Sequence, residues 1–130
     1  MKQLPNRSAH FALLLALGEC HRRLKQHASA IKDSYNIRQV THVTDMPNVS
    51  DSFRLEEYVD AELNCGDAIS WCLEITVAEK EIVVEADVRR IHGSGQDVIA
   101  KIGDFRFCQD ADNSSQLLEI TERLCCANPE

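Results

Sequence analysis

Residues 69–88 read ISWCLEITVAEKEIVVEADV, and the fold turns on how this stretch alternates. Ile69, Trp71, Leu73, Ile75 and Val77 are apolar at every second position, and so are Ile82, Val84, Ala86 and Val88. A period of two places each set on one face of a β-strand. Folding the segment about Glu79-Lys80 opposes Val77 to Ile82, Ile75 to Val84, Leu73 to Ala86 and Trp71 to Val88, all on the same face. A slip of one residue would send each of these side chains to the wrong side, so the pattern specifies the hairpin and its register.

The alternation extends in both directions. Val59, Ala61 and Leu63 form an earlier strand, and a last one runs from about Val98 to Phe107. The connections Asn64-Cys65-Gly66-Asp67, Ala78 to Lys80 and His92-Gly93-Ser94-Gly95-Gln96 are short and carry turn chemistry, which predicts an antiparallel meander over residues 55–108. Pairing the last two strands about Ser94 opposes Val88 to Ala100, Ala86 to Ile102 and Asp87 to Lys101. Beyond Gly103 the parity reverses, because Phe105 and Phe107 need the phase opposite to Ile102. Gly103 is therefore a candidate β-bulge.

Helices flank the meander. From Asn6 or Ser8, either a good N-cap, to about Asp33 there is no proline, and Leu, Ala, Arg and Lys dominate. Within this N-terminal helix region (1–39), His10, Leu13, Leu14, Leu17, Cys20, His21, Leu24, Ala28 and Ile31 fall on one apolar stripe. Phe11 and Leu15, four residues apart, point away from it, above Arg22, Gln26 and Ser29. They are candidates for self-association, since a helix apolar all round needs cover on both sides. Residues 40–54 mix Pro47, Asn48, Ser50 and Asp51 without period and read as a connector, with room for a short edge strand at Val40 to Val43. A second helix over 112–127 is predicted, with Asn113 and Gln116 in capping-box spacing and Leu117, Leu118, Thr121, Leu124 and Cys125 as its buried stripe. The expected fold is α+β in a single domain over 1–130. A four-stranded antiparallel sheet is covered on its apolar face by a long N-terminal and a shorter C-terminal helix, in the order α-β-β-β-β-α.

With 130 residues, 44% hydrophobic content and 27% charge, the chain fits one globular core and excludes disordered and collagen-like classes. Its net charge of −7 argues against nucleic-acid binding through a bulk field. That charge is divided: residues 1–40 carry +5 and residues 41–130 carry −12. The run FALLLAL (Phe11 to Leu17) follows Lys2 and Arg7 like a secretory leader, but no small-residue cleavage site comes after it. It is also far below the ~20 residues that span a bilayer. A cytoplasmic location without membrane contact is expected. The six cysteines, with no CxxC among them, read as reduced thiols, neither a zinc ribbon nor a redox pair.

The register also assigns the sheet's other face. Asp60, Glu62, Glu74, Glu85 and Asp87 project there together, with Glu74 directly opposite Glu85. Like charges facing across strands are destabilising, so this face is a candidate surface for a partner, in particular a basic one. An open sheet face offers no cleft to set two carboxylates apart as acid and base, and no EF-hand spacing occurs. The five histidines (His10, His21, His27, His42, His92) are scattered and read as boundary residues. No metal or cofactor is expected. His92-Gly93-Ser94-Gly95 joins strand to strand, which is a hairpin turn and not a phosphate loop. The favoured expectation is a non-enzymatic interaction protein of the immunity or chaperone-like type, binding a protein partner and self-associating, with no nucleic-acid or membrane partner. The rival is a small-molecule binder or small enzyme with a pocket between sheet and N-terminal helix, near His21, Trp71 or Cys72.

Overall fold

The computed structural model describes residues 7–47, 52–108 and 111–127. Helix α1 (Arg7–Ile31) is followed by strands β1 (Ile37–Asp45), β2 (Phe53–Leu63), β3 (Ala68–Val77), β4 (Glu81–His92) and β5 (Gly95–Cys108), then helix α2 (Ser114–Cys126). The five strands form one antiparallel sheet in chain order, with both helices on the same face. Asn6, residues 48–51, and the side chains of Ser8 and His10 lie outside the described residues. Among the described residues no helix is long and apolar enough to cross a membrane.

The sheet has five strands where alternation predicts four. Most of the expected connector is strand: β1 occupies its first part and β2 begins at Phe53, inside its end. The reason lies in the edge position. Only Ile37, Val40 and His42 of β1 are even partly buried, so main-chain pairing with β2 holds the strand with little apolar periodicity to announce it. Asn36, at φ 72°, makes the turn from α1 into β1; asparagine tolerates this left-handed conformation better than most residues.

All four expected β3–β4 pairs are present: Val77/Ile82, Ile75/Val84, Leu73/Ala86 and Trp71/Val88. The β4–β5 hairpin keeps Val88/Ala100 and Asp87/Lys101, but Ala86 pairs with Gly103 in place of Ile102. Register shifts at Val88/Arg89 and Ala86/Asp87 accommodate Ile99 and Ile102 as extra residues. The second shift brings Phe105 opposite Val84 and Phe107 opposite Ile82, which puts both rings on the helix-covered side. Gly103 has φ +147°, and a Cβ there would lie 2.8 Å from Cζ of Phe105. The glycine thus meets two requirements at once, a positive φ and a ring laid over its α-carbon. Gly103→Ala is expected to lower unfolding free energy by about 1–3 kcal/mol in urea titration. An unchanged midpoint would mean that neither the positive φ nor the ring constrains this position.

The core joins Leu13, Leu17, Cys20 and Leu24 of α1 with Leu117, Ile120 and Leu124 of α2 and the apolar faces of β2, β3 and β4. Leu14, expected in the buried stripe of α1, is 52% exposed. The buried arc is narrower than predicted, following 13, 16, 17, 20, 24 and 28, and Leu14 lies on its flank. In α2, Ile120 is buried where the predicted stripe omitted it. The helices meet where Thr121 Oγ1 lies 3.0 Å from Cys20 Sγ and 2.9 Å from the Leu117 carbonyl oxygen. Burial there pushes the Cys20 thiol up to about 11. The expected capping box is not formed. The Asn113 amide donates to the carbonyls of Cys108 and Ala111, and Asp112 accepts from the Ser114 N–H instead.

Candidate functional site

The five carboxylates predicted for the open face are there, and most are held by neighbours. Asp60 accepts from Ser70 (2.6 Å), Asp87 from Arg89 (2.9 and 3.1 Å) and Glu62 from Arg38. Glu74 takes Arg54 (3.0 Å) and the Tyr58 hydroxyl (3.2 Å). Arg54 also binds Glu56, so a cation absent from the sequence-based picture bridges two strands. The register aligns something larger. Asp45, Glu56, Glu74, Glu85 and Asp104 pair in succession across all five strands. Of these five, Arg54 bonds to Glu56 and Glu74, and Lys101 to Asp104. Burial raises the Glu74 carboxyl above its ordinary range; Arg54 opposes the shift, and Glu56 and Glu85 add to it.

The outward face of α1 is the second predicted surface. Phe11 is 63% exposed and Leu15 61%. With Leu14 they form a contiguous apolar trio at helical spacing i, i+3, i+4. One turn on, Gly18 has open space where a side chain would stand. Arg22 and Arg23 beside it are tied to Glu19, and Arg23 also to Glu122, so the cationic charge next to the patch is largely paired.

A third constellation escaped the sequence reading. On β2 the helix-side positions are Leu55, Glu57, Val59 and Ala61, and Glu57 is fully buried among them. His21 of α1 brings Nδ1 to 2.7 Å from Glu57 Oε1, and His42 of β1 brings Nε2 to 2.8 Å from the same oxygen. Thr44, paired with Glu57 across the β1–β2 ladder, donates its hydroxyl at 3.1 Å. Three donors converge on Oε1, whereas Oε2 is buried with no partner among the described residues. The two rings are 4.9 Å apart. The His21 side chain is 45% exposed and that of His42 12%, so the cluster is anchored in the core and opens to solvent along α1. One signal for it was available: Glu57 is a charged residue at the parity reserved for apolar ones. The histidines gave none, because they come from a helix and an edge strand distant in sequence.

A cavity of about 530 Å³ lies where the end of α1 meets β1, β2 and β3, lined by Ile31, Tyr35, Asn36, Trp71 and Arg90 among others. Trp71 stands there as the rival reading expected; His21 and Cys72 do not line it. Cys72 faces the other side of the sheet, where burial pushes its thiol up to about 11. Arg90, the one charged side chain among the described residues that line the cavity, is engaged by Asp67 at 2.8 and 3.0 Å. Behind the cavity His27 meets Trp71 edge-on with ring centroids 4.8 Å apart, and burial holds His27 below the usual imidazole range.

Compared with protein-family models, curated proteins and solved structures, the chain matches none of them.

Proposed function

We propose that the chain is a non-enzymatic association module that meets a second copy of itself through the outward face of α1. The observation that carries this is the trio Phe11, Leu14 and Leu15, three large apolar side chains 52–63% exposed on one helix face. Charge favours the same face. Two copies approaching through their open sheet faces would oppose two acidic rows, whereas the α1 patch lies beside arginines already tied to Glu19. Gly18 lets a second helix come close. Full burial of such a side chain contributes about 1.5–3 kcal/mol. Six half-exposed ones, three from each copy, contribute on the order of 5–10 kcal/mol. Association itself costs about 4–15 kcal/mol, so the dimer is expected to be reversible and to dissociate on dilution. The six unpaired thiols support a reducing, cytoplasmic setting.

Light scattering across a dilution series tests this. The wild-type mass is expected to rise toward that of a dimer at concentrations on the order of 100 µM. Leu15→Asp and Phe11→Asp are expected to stay monomeric throughout. A wild-type monomer at every concentration, or a dimer that both variants keep, would overturn the proposal.

A second reading rests on the acidic row: a basic protein partner on the open sheet face, through electrostatic complementarity. The row sets five carboxylates against two directly bound cations among the described residues. Glu74→Lys/Glu85→Lys is expected to lose partners that wild type captures, and retention of the same partners would exclude this face.

A further inference from the structure

We infer that His21, His42 and Glu57 form a binding site for a borderline divalent cation such as zinc, independent of the association surface. Their candidate ligand atoms, two imidazole nitrogens and a carboxylate oxygen, lie within 4.8 Å of one another. This is the donor set of open zinc sites, which take three protein ligands and leave a further position for water or substrate. Two nitrogen donors also select against calcium and magnesium, which prefer oxygen.

The second observation is the state of Glu57 itself. It is fully buried, one oxygen is crowded by three donors, and the other has no partner. The two imidazoles and the Thr44 hydroxyl reach only one of the two carboxylate oxygens. A cation seated between the rings would place positive charge against Oε1 directly and within reach of Oε2. Tetrahedral bonds of 2.0–2.1 Å separate ligand atoms by about 3.3 Å. The imidazole–carboxylate distances of 2.7 and 2.8 Å must therefore open by about half an ångström, and the two nitrogens, within 4.8 Å of each other, must close toward the same ~3.3 Å. His21, the most exposed of the three, has the freedom to do so. Its Nδ1 and Nε2 of His42 would then present lone pairs, with each ring carrying its proton on the other nitrogen. Thr44 Oγ1, 3.1 Å from Oε1 and 3.3 Å from His21 Nδ1, is placed to orient ligand or bound water. Such an ion would fasten α1 to both β1 and β2, the elements that carry its three ligands.

The test uses the full chain with the exposed Cys65, Cys108 and Cys126 replaced by serine, which removes adventitious thiol ligands. Chelator-treated protein is titrated with Co2+, followed by visible absorption, and then with Zn2+ as competitor. One Co2+ per chain, displaced by Zn2+, is expected, with affinity falling at least about tenfold in His21→Ala and in His42→Ala. His21→Ala keeps the proposal testable if the His42 variant fails to fold, because His21 is half exposed; circular dichroism verifies both. Binding that disappears with the three cysteines, or that survives in the His21→Ala/His42→Ala double variant, would overturn the assignment.

Discussion

Glu57→Ala is expected to lower the free energy of unfolding by roughly 3–5 kcal/mol, from the cavity that truncating a buried side chain leaves and from donors that lose their acceptor. The truncation opens a void in the helix-covered face of β2 and leaves the polar groups of His42 and Thr44 aimed at it. Glu57→Gln retains volume and an acceptor for the same donors, so its loss is expected to be smaller, about 1–2 kcal/mol. The double replacement Glu57→Leu/His42→Leu is expected to return to within about 1 kcal/mol of wild type or to exceed it, because an apolar pair needs no compensation in the core. Urea denaturation of the three variants separates these outcomes. A Glu57→Ala variant as stable as wild type would mean that the cluster contributes nothing to the fold, and that its survival there has to be explained by binding alone. Zinc adds a further discrimination. A ligand that binds only the native state raises stability by mass action, so the ion is expected to stabilise wild type and leave Glu57→Ala unchanged.

Glu57 also marks the boundary of what can be read along the chain. The meander, its central register and both helices follow from periodicity, because β3 and β4 are covered on one face and every second residue reports it. The same rule fails at β1. An edge strand buries little, so Val40-Thr41-His42-Val43 carries too few apolar residues for its period to stand out. It fails again at Leu14, since a 3.6-residue stripe predicts which side of α1 is apolar and not how far the sheet extends beneath it. The imidazole–carboxylate cluster needs three elements to meet, and only the parity violation at Glu57 is local enough to be visible. For the open face the carboxylates were legible, and so was relief by Arg89 and Lys101, which pair with Asp87 and Asp104; the cation between β2 and β3 was not. Arg54 lies before the strand that alternation delimits, so the cation that bridges Glu56 and Glu74 was counted with a connector. The net charge of −7 accordingly describes neither surface well. One face carries a row of acids partly held by arginine and lysine, and the other side presents an apolar helix patch beside a paired chain of charges.

The largest purely apolar effect is expected at Leu73→Ala, at roughly 2–5 kcal/mol. Leu73 is 1% exposed on the central strand β3, directly opposite Ala86, itself 1% exposed, with α2 packed against both strands. Its neighbours across the ladder are fixed by main-chain hydrogen bonds, so the site collapses poorly and the loss is expected in the upper part of that range. The opposing alanine supplies a sharper test. In a matched register the side-chain volume removed at 73 can be restored from 86, since paired residues in an antiparallel ladder stand about 5 Å apart on the same face. Leu73→Ala/Ala86→Leu is therefore expected to recover a substantial part of the loss, whereas Ala86→Leu alone overpacks the wild-type core and costs about 1–3 kcal/mol. The coupling between the two positions, measured as a double-mutant cycle in urea, is expected to exceed about 1 kcal/mol in the favourable sense. A control pair, Leu73→Ala with Glu85→Leu, places the new methyls on the open face and is expected to recover no more than the few tenths of a kcal/mol released by removing the Glu74/Glu85 repulsion. If the control restored stability as well as Ala86→Leu does, the alternation that sorts the helix-side core from the acidic face would not be the register of this sheet.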